Sequence, residues 1–196
     1  MEFIAHRINR LDDLFKVPKD YGVEVDLRDY DGNIVLQHDP FKDGDNFEKF
    51  LSSYKHGTLI LNIKSEQIEY KVLELIHKYK IKKYFLLDSS FPMIYKLSNN
   101  GEKNLAIRLS DFEGIETIIN MKGKVKWVWL DCFDKFILNK NIYNVLKKNN
   151  FKICIVSPAL HHRSNEIRVY TDIIKGEKFV LDAVCDKLYN SNKWMI

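Results

Sequence analysis

The chain has no apolar run of the roughly 20 residues that a membrane-spanning helix needs, and its first ten residues, MEFIAHRINR, hold no apolar stretch of signal-peptide length. No transmembrane segment is expected, and a cytoplasmic location follows as the expectation. A clustered basic arm is also missing. The 31 Lys and Arg residues, against 27 Asp and Glu, are scattered, so the net charge of +4 is not a nucleic-acid footprint. Cysteines are few: Cys132, Cys154 and Cys185 are an odd number without metal-like spacing, each in or beside an apolar run. They read as buried thiols of a reducing compartment. Finally, no Gly-rich phosphate loop follows the first strand, which argues against a doubly wound nucleotide-binding sheet.

What is present is ordinary globular material, with 45% hydrophobic and 30% charged residues in 196 positions. That length fits one domain, residues 1–196, able to bury a core without disulfides. The most informative stretch is Gly22 to Pro40, GVEVDLRDYDGNIVLQHDP. Val23, Val25 and Leu27 alternate with Glu24, Asp26 and Arg28, the period-2 pattern of a strand, so the two acids share a face. Asp31-Gly32 marks a tight turn, Ile34 to Leu36 resume an extended run, and the unit closes on His38-Asp39-Pro40. A strand with two acids on a solvent face is common. A carboxylate pair is also what a hard divalent cation takes, and a nearby histidine can move a proton.

The rest of the chain repeats one grammar. Short β-rich runs end on polar residues and are followed by helical periodicity. Phe3 to Ala5 leads to His6 and Arg7, a short helix over Leu11 to Phe15 ends before Pro18, and helices follow at about 45–55 and 66–79. Thr58 to Lys64 carries Asn62 and Lys64, Tyr84 to Leu87 ends on Asp88, Leu105 to Ile107 on Arg108, and Trp127 to Leu130 on Asp131. Lys152 to Val156 precedes His161-His162-Arg163, and Phe179 to Val184 ends near Asp186. About eight such strands, apolar on both faces and alternating with helices, predict a compact (β/α)₈ TIM barrel with an irregular first helix. Because active sites of such barrels lie at the carboxyl ends of the strands, these polar ends are expected to converge on one mouth.

The strand ending His6-Arg7, the GVEVDLR segment and the hairpin ending His38-Asp39-Pro40 resemble the opening of the glycerophosphodiester phosphodiesterase superfamily, which includes phosphatidylinositol-specific phospholipases C. The strings LNIKS, FLLDSSFPMIY, IRLSDFE, VWLDCF and IVSPALHHR are similar to a compact bacterial branch associated with surface-polysaccharide gene clusters. This resemblance, which runs nearly the full chain, implies a metal-dependent phosphodiesterase. Glu24 and Asp26 would hold Mg²⁺ or Ca²⁺, His6 and His38 would be the acid/base pair, and Arg7 and Lys64 would contact phosphate. The substrate class implied is a glycerophosphodiester or a polysaccharide- or lipid-linked phosphodiester.

The departures matter too. Where the family pattern has a third acidic ligand, this chain has Asn62, which reads either as a neutral metal ligand, with Asp88 or another acid compensating, or as a strand-end cap. Ile8 stands where a glycine usually follows His-Arg, a Glu-Asn-Thr string is missing, and the insertion after His-Asp shrinks to Phe41 to Asp45, predicting an open mouth. Arg108 reads as an anion contact or the partner of a neighbouring acid. His161 and Arg163 read as substrate contacts, and Asp88, Asp131 and Asp186 as helix caps or supporting partners. Two other functions stay open: lyase-type cleavage through a cyclic phosphate, and a catalytically decayed barrel that binds without cleaving.

Overall fold

In the computed structural model, which describes residues 1–195, ten strands and seven α-helices follow one another along the chain. Strand β1 (Glu2–Ala5) leads through the single turn α1 (Leu11–Leu14) to β2 (Gly22–Tyr30), the antiparallel β3 (Asn33–Leu36), the two-residue β4 (Asp45–Asn46) and α2 (Phe47–Ser53). Five β-then-α repeats follow: β5 (Leu59–Ile63), α3 (Glu69–Lys78), β6 (Tyr84–Leu87), α4 (Phe91–Asn99), β7 (Ala106–Ser110), α5 (Ile115–Asn120), β8 (Trp127–Asp131), α6 (Lys140–Lys148), β9 (Lys152–Val156) and α7 (Ile167–Gly176). Strand β10 (Ala183–Asp186) and a 3₁₀ segment, Leu188–Trp194, close the chain.

Eight of the strands are parallel neighbours, in the order β6-β5-β2-β1-β10-β9-β8-β7. The two ends of this row meet at a narrower seam, where one parallel bridge joins Leu86 to Leu105 and the Leu86 amide donates to the Asn104 carbonyl. The TIM-barrel class expected from the sequence is thus the observed one. Strands β3 and β4 form a flap on β2, folded back by Asp31 and Gly32, both at positive φ, as a two-residue hairpin turn requires. Gly22 is needed where β2 starts against β5, because a Cβ there would lie 2.5 Å from the Thr58 carbonyl oxygen.

The core has two layers. Inside the ring, Ile4, Ile60, Phe85, Trp127, Trp129 and Cys154 pack together, with Phe85 stacked on Trp127 at 4.5 Å. Between ring and helices lies the larger layer, in which Phe47, Phe50, Val72, Ile76, Leu146 and Tyr170 face outward-pointing strand residues such as Val23, Val25 and Leu61. Both faces of each strand are therefore dry, which explains runs without clean alternation. It also places Glu24 and Asp26, each 1% exposed, inside the ring and not on a solvent face.

The structure moves several boundaries. Helix α2 starts at Phe47 because Asn46 caps it, its side chain accepting from the Lys49 amide. The Ser110 hydroxyl donates to Glu113 at 2.6 Å and accepts from its amide, closing a turn ahead of α5, which begins at Ile115. The last strand starts at Ala183, not Phe179. No helix among the described residues is long and apolar enough to cross a membrane.

Candidate active site

The carboxyl ends of the strands bring most of the sequence-predicted residues into one connected set. At the end of β1 the His6 ring places Nε2 3.8 Å from Glu24 Oε2, while its Nδ1 is buried without a partner. The chain then turns through Arg7 in the left-handed region (φ 56), a strained state for a side-chain-bearing residue. That turn aims the Arg7 amide at Glu24 Oε2, 2.6 Å away, and brings the Arg7 Nε to 3.3 Å from Asp26 Oδ2. Asn9 clamps the same acid from both sides: its Nδ2 donates to Asp26 Oδ2 at 2.8 Å and its Oδ1 accepts from the Asp26 amide at 2.9 Å. The sequence gives no signal for Asn9 beyond its place three residues after His6.

Strand pairing sets the third position. Asp26 sits opposite Asn62 in the β2–β5 register, and Asn62 Nδ2 donates to Glu24 Oε1 at 2.9 Å, leaving Asn62 Oδ1 buried and unpartnered. Lys64 Nζ lies between Asp26 Oδ1 (3.6 Å) and Asp88 Oδ2 (3.4 Å). His38 stands at the end of the flap, 41% exposed, with Nδ1 donating to Asp39 Oδ1 at 2.9 Å. Arg28 ties this flap to β5, donating from Nε to the His38 carbonyl and from a terminal nitrogen to the Lys64 carbonyl. Arg28 is thus a second positioning residue without a sequence signal beyond strand parity.

Across the mouth a second group extends the chain of charges. Asp88, also left-handed (φ 58), pairs with Arg108, which pairs in turn with Asp131 and approaches Glu113 at 3.7 Å. Asp131 Oδ1 accepts from His161 Nε2 at 2.6 Å, and the His161 ring packs edge-on against Phe133. Arg108 is therefore held among acids. Arg163 is not brought to this group: it donates to Glu166, to the Cys132 carbonyl and to the Tyr170 hydroxyl, bracing the loop before α7. Asp186 likewise serves the chain end, accepting from Trp194 Nε1 and Asn190 Nδ2.

Burial sets the protonation of the first group. His6 is held down to about 3, first by desolvation and then by the cations Lys187, Arg7 and Lys64, so its imidazole is neutral at neutral pH. Glu24 is pushed up to about 7 by burial and by the Asp26 charge beside it, against the opposing pull of the Asn62 and Arg7 hydrogen bonds. Exposed Asp39 is held down to about 2 by His38 and Lys42, so it stays an ionised acceptor for the His38 ring. Among the described residues no group of three His, Cys, Asp or Glu side chains is arranged to hold a metal ion.

No family model and no curated protein matches the chain. Its fold, however, is similar to a crystal structure of a glycerophosphodiester phosphodiesterase from Agrobacterium tumefaciens, at 14% identity and a TM-score of 0.70 over 95% of this chain and 97% of the other. A glycerophosphoryl diester phosphodiesterase from Parabacteroides distasonis gives 13% identity and a TM-score of 0.65 over 95% and 82%. The barrel that gathers His6, Glu24, Asp26, Asn62 and Lys64 at one mouth thus has the fold of the glycerophosphodiester phosphodiesterases.

Proposed function

We propose that this chain is a metal-dependent phosphodiesterase that hydrolyses a glycerophosphodiester or related diester at the mouth formed by β1, β2, β3 and β5. The observation that carries the reading is the gathering of the part-buried His6 imidazole with a compact set of carboxylates and cations around it. Arg7 and Lys64 supply guanidinium and ammonium donors for the phosphoryl oxygens. His6 takes the proton of an attacking water as its oxygen bonds to phosphorus. His38, oriented through Asp39, returns a proton to the leaving alkoxide as the second P–O bond breaks.

The donor set around Glu24 suits Mg²⁺ or Ca²⁺. All its ligand atoms are oxygens, Asn62 Oδ1 is a buried acceptor without a partner, and Glu24 and Asp26 crowd negative charge in a dry site. Glu24, Asp26 and Asn62 would hold the ion, and when bound it would neutralise charge developing on the phosphoryl oxygens. With an amide as third ligand, affinity is expected to be modest, and Asn62→Asp is expected to tighten it. The test is an assay of several phosphodiesters with Mg²⁺, Ca²⁺ or EDTA, with Glu24→Ala beside the parent. Loss of cleavage in EDTA and in the variant supports the assignment; metal-dependent cleavage that survives Glu24→Ala overturns it.

A further inference from the structure

Lysines that are scattered in residue order are gathered by the barrel. Six segments carry the chain from a helix into β5 through β10 (residues 54–58, 79–83, 100–105, 121–126, 149–151 and 177–182), and together they hold nine lysines, three acids and no arginine. On the mouth side the proportion is reversed. The five segments that leave β5 through β9 for a helix (64–68, 88–90, 111–114, 132–139 and 157–166) hold three Lys or Arg residues against six acids. Parallel strands of one ring all start at the same end, so the nine lysines and Lys152, the first residue of β9, share the face opposite the mouth. Strands β10, β9, β8, β7, β6 and β5 are consecutive around the ring once the seam is counted, so this charge covers six of its eight positions.

These charges are unmatched within the molecule. None of the ten ammonium groups lies within 4.0 Å of a carboxylate among the described residues; the lysines that do pair are others. The acids of the same face are already engaged: Glu177 by Lys140, Asp182 by Lys147 and the Ile153 amide, Glu102 by the Tyr84 hydroxyl, and Glu2 by the Thr58 amide and hydroxyl. Lys82, Lys83, Lys126 and Lys152 border a recess of about 340 Å³ in the middle of this field. Such a face attracts negative charge, and its composition selects the kind. It has no guanidinium fork to read base edges. None of its segments carries an exposed aromatic ring on which a base could stack. A field spread around the end of a barrel also meets a plane with all its charges at once, whereas a rod-like duplex meets only a stripe of them. We propose that this amino-terminal face docks the protein on a membrane surface rich in anionic phospholipid, leaving the mouth turned to the aqueous side. Docking of this kind does not depend on the phosphodiesterase reading.

Docking is measured by sedimenting the full chain with vesicles of phosphatidylcholine alone or with phosphatidylglycerol added. Binding is expected only to the second. Raising the salt from about 0.1 M to about 1 M, which shortens the Debye length from about 10 Å to about 3 Å, is expected to release it. Lys82→Gln combined with Lys83→Gln, both exposed, is expected to weaken partitioning about thirtyfold, the worth of two lysines at an anionic surface. Lys135→Gln combined with Lys193→Gln, also exposed, removes the same charge beyond the carboxyl ends of β8 and β10 and is expected to weaken it less than about threefold. Thermal melts beside the parent separate lost docking from lost folding, and Lys122→Gln combined with Lys126→Gln repeats the test on a different segment. Salt-sensitive binding to anionic vesicles that only the amino-face variants lose sustains the proposal. No binding to those vesicles, an equal loss in the mouth-end variant, or displacement from them by duplex DNA at equal phosphate concentration overturns it.

Discussion

The two sides of the barrel mouth carry similar side chains and hold them in opposite states. On the β1–β2–β5 side, acids are buried to 1% exposure, His6 Nδ1 and Asn62 Oδ1 have no partners, and an imidazole is kept neutral beside a raised carboxyl. On the β6–β9 side, Asp88, Arg108 and Asp131 form a run of alternating charges, and Asp131 also accepts a hydrogen bond from His161. The first side crowds two buried acids beside an imidazole; the second is an ion-pair frame closed around Arg108. Residue type alone does not separate the histidines and arginines of the mouth from those that brace loops. Position does: His6 and Arg7 border the buried Glu24–Asp26 pair, whereas Arg163 braces the loop before α7.

The largest expected contrast is catalytic. His6→Ala should lower phosphodiester turnover about 10²–10⁴-fold, the usual worth of a general acid or base, while His161→Ala, in the closed frame, should lower it less than tenfold. Initial rates of the two variants side by side decide this, and equal losses would erase the distinction. Stability should reverse the ranking. Arg108→Ala leaves Asp131, 3% exposed, without its cation and should cost about 3–5 kcal/mol, whereas Arg7→Ala, whose side chain is 41% exposed, should cost about 1 kcal/mol or less. Urea unfolding of both variants measures the difference.

A smaller effect is expected from pH. Folding lowers the His6 pKa from 6.5 to about 3, so its contribution is present above pH 6.5 and is lost as pH falls. Folding raises Glu24 from 4.5 to about 7, so its penalty grows as pH rises from 4.5 and is relieved on acidification. Between pH 7 and 5 the two oppose each other, each on the order of 2 kcal/mol. The parent should therefore change little, His6→Gln should become more stable on acidification, and Glu24→Gln less stable; parallel urea midpoints for all three would contradict the pairing. The smallest expected signal is from the thiols. Burial raises Cys132 to about 11 and Cys154 and Cys185 well above the ordinary range. Iodoacetamide at pH 8 should label none of them in the native protein, on either side of the mouth.

Much of this was legible in residue order because the barrel writes a repeating pattern: apolar run, polar end, helix. His6, Glu24, Asp26 and Lys64 fall at strand ends or on one strand parity, and the fold brings them together. Asn9 and Arg28 were not legible, because they act through a turn and a cross-strand reach that only three-dimensional packing creates. Arg108 and Arg163 look alike in sequence, yet one joins the mouth and the other braces a loop, since the 3₁₀ turn through left-handed His162 carries Arg163 back toward α7. The narrow seam had no signature, because nothing in an apolar run tells whether its edge finds a full ladder or a single bridge.

Phosphorus NMR of a glycerophosphodiester incubated with the Mg²⁺- or Ca²⁺-supplemented protein tests the central claim most directly. The diester signal should convert to that of a phosphomonoester with the parent and persist with His6→Ala. An accumulating cyclic phosphate would replace hydrolysis by lyase chemistry at the same residues. A diester signal unchanged by the parent protein, or consumed equally by the His6 variant, would contradict the assignment of this mouth as a phosphodiesterase centre.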